Sequence, residues 1–394
     1  MTKYDFDTVI DRRGTGAVKT DRLLPLYGRD DLLPLWVADM DFPCGDFIVE
    51  ALQKRINHGI FGYTLAQPSY YQSIISWVNR LHGWEIQKEW LSYIPGIVKG
   101  IGLTLMCFTC PGDKVIIQSP VYHPFRIIPE LQCRTVIDNP LIENQGTYRM
   151  DLDGLKKIMK AHDCKILILS SPHNPAGVVW DKETLQKLAL LCQEHGVMVI
   201  SDEIHGEMTL FGRKHIPFAT VSPAARDHSI TFMAPSKTFN IAGIVTSYAI
   251  VPNDTIREHF FHFLHSAELD QGTIFAYTAT EAAYKNGENW RQQMLRYVEE
   301  NILFVDNFLK THIPNIKVFM PQASFLLWLD CRDLHLNQEK LKALFVEKAG
   351  LALNEGSSFG IEGTGFMRMN VGCSRIVLNK ALENLKAAMV SGYC

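Results

Sequence analysis

The sequence has no apolar stretch long enough to cross a bilayer. Its best candidate, Ile241 to Val251, is interrupted by Gly, Thr, Ser and Tyr and falls far short of the ~20 residues a spanning helix needs. It also lacks an excess of charge of one sign. Lys plus Arg number 39 and Asp plus Glu 42, a formal net of −3, which argues against a surface built to neutralise nucleic-acid phosphates or to lie on an anionic membrane. No nucleic-acid-binding motif or basic tail is present. Residues 1–16 alternate acidic and basic side chains without an apolar run, so no secretory signal is expected there. The nine cysteines are scattered from Cys44 to Cys394, which suits reduced thiols in a cytoplasm better than a disulfide framework. Cys107-Phe-Thr-Cys110 has redox-pair spacing but stands alone in an apolar segment, and no Cys/His cluster completes a metal site. Disorder is excluded as well, because 47% of the residues are hydrophobic and only 21% charged. A cytoplasmic protein acting on small molecules is the expectation.

A chain of 394 residues is too long for one ordinary core, so two or more domains are expected. Between Asp46 and Leu210 helical and strand patterns alternate in the βα rhythm of an α/β sheet. Asp46 is placed to cap a helix continuing through Ile48, Leu52 and Ile56, and Tyr71, Ile74, Ile75, Val78 and Leu81 form a second stripe at helical spacing. Lys165–Ser170 and Val197–Ser201 read as strands buried on both faces. Between them Asp181 caps a helix that Gly196 ends; Ser229–Ala234 is a third strand. The last hundred residues differ: a long helix over Asn289–Lys310, a strand over Ser324–Asp330, a helix near Gln338–Lys348 and a Gly-rich passage around Phe366–Asn370. The expected architecture is α/β, with a large domain on a mostly parallel sheet over residues 46–285. Residues 1–45 and 286–394 form a smaller α+β domain, to which the Pro-punctuated segment Leu24–Pro43 contributes.

Three polar clusters follow the three strands, where α/β proteins bind ligands. They are Ser170-Ser-Pro-His-Asn-Pro-Ala-Gly177, Ser201-Asp-Glu-Ile-His205 and Ala234-Pro-Ser-Lys-Thr-Phe-Asn240. Each alone is ordinary: Asn-Pro-x-Gly is turn chemistry, and a lone Asp or Lys after a strand is commonly a cap or a solvated loop residue. Together they bring an amide, a carboxylate and an amine to one edge of one sheet.

In that order and spacing these elements resemble the fold-type I pyridoxal-phosphate (PLP) enzymes, class I/II aminotransferase-like, over essentially the whole chain. Trp36-Val-Ala-Asp-Met-Asp-Phe-Pro43, Phe61-Gly-Tyr-Thr64, Pro95-Gly-Ile-Val98 and Val371-Gly-Cys-Ser-Arg375 add to the likeness. Within the family the match is to the cystathionine β-lyase, or C–S lyase, branch (MalY/PatB type). The resemblance implies PLP as cofactor and no metal. Lys237 would hold the aldehyde as a Schiff base and move the Cα proton. Asp202 would keep the pyridine nitrogen protonated, and Asn174 would bond the phenolic oxygen. Tyr122 would stack on the ring as a further catalytic-site residue. The phosphate would lie on the N–H groups of Ile97 and Val98, with the helix starting near Lys99 behind them; Ser236 would add a hydroxyl. His205 stands near the phenolic oxygen, Tyr63 would reach the phosphate from a second subunit of a homodimer, and Arg368 would grip the substrate carboxylate.

The sequence departs from classical transaminases at Ala234 and Val245, where a hydroxyl and an Arg are usual, and at Ser324-Phe325, where Tyr is common at the second position. The implied reaction is α,β-elimination from L-cystathionine or L-cysteine to pyruvate, ammonia and a thiol. An aminotransferase is the alternative, and a regulator that binds a transcription factor is a second one.

Overall fold

The computed structural model describes residues 3–390; Cys394 and the end of the proposed small domain lie outside them. The central element is a seven-stranded sheet: β1 (Leu91–Ile94), β2 (Lys114–Ile117), β3 (Thr135–Asp138), β4 (Cys164–Ser170), β5 (Met198–Asp202), β6 (Ser229–Met233) and β7 (Ser247–Ile250). Their spatial order is β1-β7-β6-β5-β4-β2-β3. Pairing is parallel from β6 through β5, β4 and β2 to β3, whereas β7 runs antiparallel to both neighbours. The sheet is therefore mostly parallel, and β4, β5 and β6 all end at one edge, with Ser170 opposite Asp202 and Asp202 opposite Phe232.

Both faces are covered, which explains the unbroken apolar runs. Along β4, Ile166 and Ile168 point into one core with Ile101 and Leu105 of a helix over Ile97–Phe108 (α1). Leu167 and Leu169 enter the opposite core with Leu185, Leu188, Ala189 and Cys192 of the helix Lys182–Glu194 (α2). Asp181 caps α2 by accepting the Thr184 N–H at 2.9 Å. At the other expected cap the structure differs: Gly45 is the cap residue of the helix Asp46–Asn57, and Asp46, its first helical residue, bonds only the neighbouring Phe47 N–H. The buried stripe of the helix Pro68–His82 is Tyr70, Ile74, Trp77 and Val78, rotated from the one expected because Trp77 stacks on Tyr284, centroids 4.9 Å apart.

A second, four-stranded antiparallel sheet is built from β8 (Lys317–Phe319), β9 (Leu326–Asp330), β10 (Asn354–Glu355) and β11 (Phe366–Asn370), in the order β8-β9-β11-β10. β9 starts two residues later than expected, since Ser324 sits at φ +75°, outside strand geometry. The helix near Gln338–Lys348 is α-helical only to Ala343, with a wider π turn over Leu344–Lys348. The N-terminal segment joins this unit through Leu33–Pro34, which pairs in parallel with Leu351–Ala352. The division at residues 46 and 286 remains a proposal: one apolar core containing Phe6, Trp77, Phe239, Trp290 and Leu382 runs across it.

Candidate active site

A cavity of about 290 Å³ opens at the edge where β4, β5 and β6 end. Its wall includes Lys237, Asp202, Asn174, Tyr122, Ile97, Val98, Ser236 and His205, eight of the ten residues expected at the site. The topology brings them together. β1 ends at the same edge and delivers Gly96 and the start of α1, β2 leads into Tyr122, and the three middle strands lead into Asn174, Asp202 and Lys237.

Gly96 takes φ +105°, a conformation that only glycine adopts without strain. This turn brings the first residues of α1, Ile97, Val98 and Lys99, into the cavity wall, and no earlier turn of the helix can accept their N–H groups. The helix begins at Ile97 rather than near Lys99. Ser247, which no local sequence signal singled out, holds the turn: its hydroxyl donates to the Ile94 carbonyl at 2.8 Å and accepts the Gly96 N–H at 3.0 Å. The unaccepted first-turn N–H groups of this twelve-residue helix, set behind a glycine turn, are of the kind that receive an anion.

Lys237 donates to the Ala38 carbonyl at 2.5 Å. Burial pushes its amine down to about 8, against the opposing fields of Asp39 and Asp202. Asp202 is buried, and loss of hydration pushes its carboxyl up to about 7. Its Oδ1 accepts the Ile204 N–H at 3.1 Å, so Oδ2 remains for a donor in the cavity. A carboxylate so placed calls for a cationic N–H partner to stay ionised. The side-chain oxygen of Asn174 accepts from Arg368 Nη1 at 3.0 Å, which leaves its NH2 as the end able to donate. Its chain is fixed by Gly177 in the same turn (φ +65°), where an added Cβ would lie 2.6 Å from Pro321 Cβ. His205 is buried and pushed down to about 3, chiefly by desolvation. It is therefore neutral, and its Nδ1 has no partner among the described residues.

Arg368 is buried one hydrogen bond behind the cavity rather than in its wall. Besides Asn174 it donates to the Trp36 carbonyl at 3.0 Å and to Asn354 Oδ1 at 2.7 Å, and its guanidinium lies 4.8 Å from the Phe359 ring centroid. No carboxylate is among these partners. Burial lowers it to about 10, so it is a charged group at neutral pH whose hydrogen-bond partners are all neutral. Tyr63, the tenth expected residue, is fully exposed on the loop after Asn57 and contributes nothing to the cavity of its own chain. Val245, at the position where classical transaminases often carry an Arg, lines the cavity at φ +57°. That conformation costs a β-branched residue of order 1–3 kcal/mol, and the Tyr93 hydroxyl holds its carbonyl at 2.8 Å.

An amine lowered toward neutrality, a buried carboxylate awaiting an N–H cation, an amide donor and an anion cradle are the complement of PLP. Among the described residues no group of three or more His, Cys, Asp or Glu could hold a metal ion, and no helix is long and apolar enough to cross a membrane.

The chain belongs to the class I and II aminotransferase family, whose profile matches residues 30–385. It is 41% identical over 385 residues to cystathionine beta-lyase PatB of Bacillus subtilis, covering 98% of this chain and all of that one. Among solved structures, cystalysin from Treponema denticola, which contains pyridoxal 5'-phosphate, superposes with a TM-score of 0.95 at 34% identity over 99% of this chain and 100% of that one. The PLP-bound C-S lyase of Staphylococcus hominis does so with a TM-score of 0.93 at 32% identity, covering 99% of both chains.

Proposed function

We propose that this chain is a PLP-dependent carbon–sulfur β-lyase that eliminates a thiol from L-cystathionine or L-cysteine. The observation that carries the reading is the convergence of Lys237, Asp202 and Asn174 on one cavity, with an Arg368 that has no carboxylate partner one hydrogen bond behind it. The relatives named as cystathionine and C–S lyases support the choice of reaction. When bound, PLP supplies an aldehyde for amines and a ring that accepts the electron pair left at Cα.

The chain's own residues do the rest. Lys237 would anchor the cofactor, and its amine, when free, would take the Cα proton. Asp202 Oδ2 would hold the proton on the ring nitrogen, and the Asn174 NH2 would donate to the phenolic oxygen. Tyr122 would lie against the ring, and the Ile97 and Val98 N–H groups with the Ser236 hydroxyl would receive the phosphate. Arg368 fixes the substrate carboxylate in place of a neutral partner. The balance is amino acid plus water to pyruvate, ammonia and thiol: homocysteine from cystathionine, sulfide from cysteine. A panel of β-substituted alanines tests this, since only a β-carbon with a leaving group can react. Product from L-alanine equal to that from L-cysteine would refute elimination.

Only a neutral amine attacks an aldehyde. Lys237 of the apoprotein should therefore capture PLP faster as pH rises from 6, levelling off above about 8, where burial places its titration. Stopped-flow absorbance reads this rate, and a flat profile across the range would contradict a free amine at that position.

We further propose a homodimer with shared sites. Ile60, Phe61, Tyr63 and Leu65 are all exposed on one loop, an apolar surface that a second copy would cover, with Tyr63 reaching the partner's phosphate. Inactive Tyr63→Phe and Lys237→Ala subunits, mixed and exchanged, should regain part of the activity, because each heterodimer has one site with both groups intact. Verified heterodimers without recovery would exclude the shared site.

A further inference from the structure

The segment from Trp36 to Phe42 is irregular backbone with no strand partner, yet the five carbonyls from Trp36 to Met40, and that of Phe42, each accept from a side chain. Trp36 O accepts from Arg368 Nη2 at 3.0 Å, and Ala38 O from Lys237 Nζ at 2.5 Å. The carbonyls on either side of Ala38, those of Val37 and Asp39, both accept from Asn370 Nδ2, at 2.5 and 2.6 Å. Asn240 Nδ2 donates to Met40 O and Phe42 O at 2.8 and 2.7 Å, and its Oδ1 accepts the Met40 N–H at 2.9 Å. Each carboxamide uses both its N–H bonds on this strap, a task a carboxylate cannot perform because it has no donors. Their places in the chain give the arrangement its meaning. Asn240 lies three residues beyond Lys237, and Asn370 two beyond Arg368 on β11.

One short segment thus touches the amine and the guanidinium and is gripped from the two elements that carry them, while Arg12 and Lys19 pair with its Asp39 and Asp41 carboxylates from the N-terminal side and the Asp41 N–H donates to Gly372 O. Nothing else among the described hydrogen bonds links Lys237 to Arg368 through so few atoms. We propose that the Trp36–Phe42 strap sets the spacing between Lys237 and Arg368, and that Asn240 and Asn370 are the positioning residues that hold it. This rests on reading Lys237 as proton carrier and Arg368 as carboxylate receptor. A bound amino acid must place its carboxylate on one and its Cα–H on the other, so a strap displaced by an ångström should lower kcat/KM about 100-fold without touching the cofactor's own contacts.

The test is made on holoprotein carrying Asn370→Asp, which sets a carboxylate oxygen against two carbonyls, and on Asn240→Ala at the other end of the strap. Amide hydrogen exchange of a peptide covering residues 36–42 should accelerate while β9 and β11 keep wild-type protection. The absorbance of bound PLP should be unchanged, and kcat and kcat/KM should both fall. L-alanine, which has the carboxylate and Cα–H but no leaving group, should bind more weakly as read by perturbation of the cofactor absorbance. A strap that exchanges at the wild-type rate overturns the inference. So does a loosened strap with kcat and KM within twofold of wild type, which would mark the asparagines as structural only. If Asn370→Asp does not fold, Asn240→Ala decides by the same criteria. The exchange and L-alanine measurements need no leaving group, so failure of the lyase reading leaves them decisive.

Discussion

Lys237→Ala is expected to lower turnover by several orders of magnitude and to abolish the covalent link to PLP. General base catalysis alone contributes about 10²–10⁴-fold, and the same amine also anchors the cofactor, so one substitution removes both. The purified wild type should be yellow and should gain the cofactor's mass after borohydride reduction; the variant should not. PLP should still bind the variant noncovalently, because Asp202, Asn174 and the start of α1 stay in place. The side chain itself makes one hydrogen bond, to Ala38 O, so little fold stability should be lost. Turnover within tenfold of wild type would remove Lys237 from the chemistry.

The second large effect is expected at Arg368. Arg368→Ala should cost roughly 2–5 kcal/mol in kcat/KM, the range for truncating one partner of a buried, hydrogen-bonded charge pair. The loss should be alike for cystathionine and cysteine, which share the α-carboxylate and differ beyond sulfur. Arg368→Lys should recover only part of it, because a lysine cannot reproduce the fork that bonds Asn174 Oδ1, Trp36 O and Asn354 Oδ1 together. The PLP absorbance should survive in both variants, since the cofactor has no such carboxylate. Steady-state kinetics with the two substrates reads the effect, and an unchanged KM with alanine at position 368 would assign the carboxylate to another group.

Much of the site was legible because its residues follow apolar runs. Asn174 and Lys237 lie just beyond, and Asp202 at the end of, strands whose Ile, Leu and Val content marks a doubly covered sheet, and parallel strands put such positions on one edge. Tyr122, Ile97, Val98 and Arg368 were placed by family resemblance, and the fold sets all but Arg368 in the cavity wall. Ser247 and Ala38 were not legible. A serine opening an antiparallel strand carries no local signal, and Ala38, though inside the matched segment Trp36–Pro43, carries no side chain that suggests a role; their importance comes from Gly96 and Lys237, which lie far away in the chain. Asn240 stood inside a recognised motif and Asn370 beside one, but their bonds to the strap are tertiary and no spacing rule announces them. The shift in the Pro68–His82 helix has the same origin, since Tyr284 decides which face Trp77 turns inward. Tyr63 depends on a second chain, so its part in the site is a matter for the subunit-mixing experiment.

The central claim is elimination at a single PLP site, and product stoichiometry tests it most directly. Purified holoprotein given L-cystathionine with no keto acid present should release pyruvate, ammonia and homocysteine in equal amounts through many turnovers. Turnover that requires an added keto acid, with no thiol released, would contradict the lyase account and make the chain an aminotransferase.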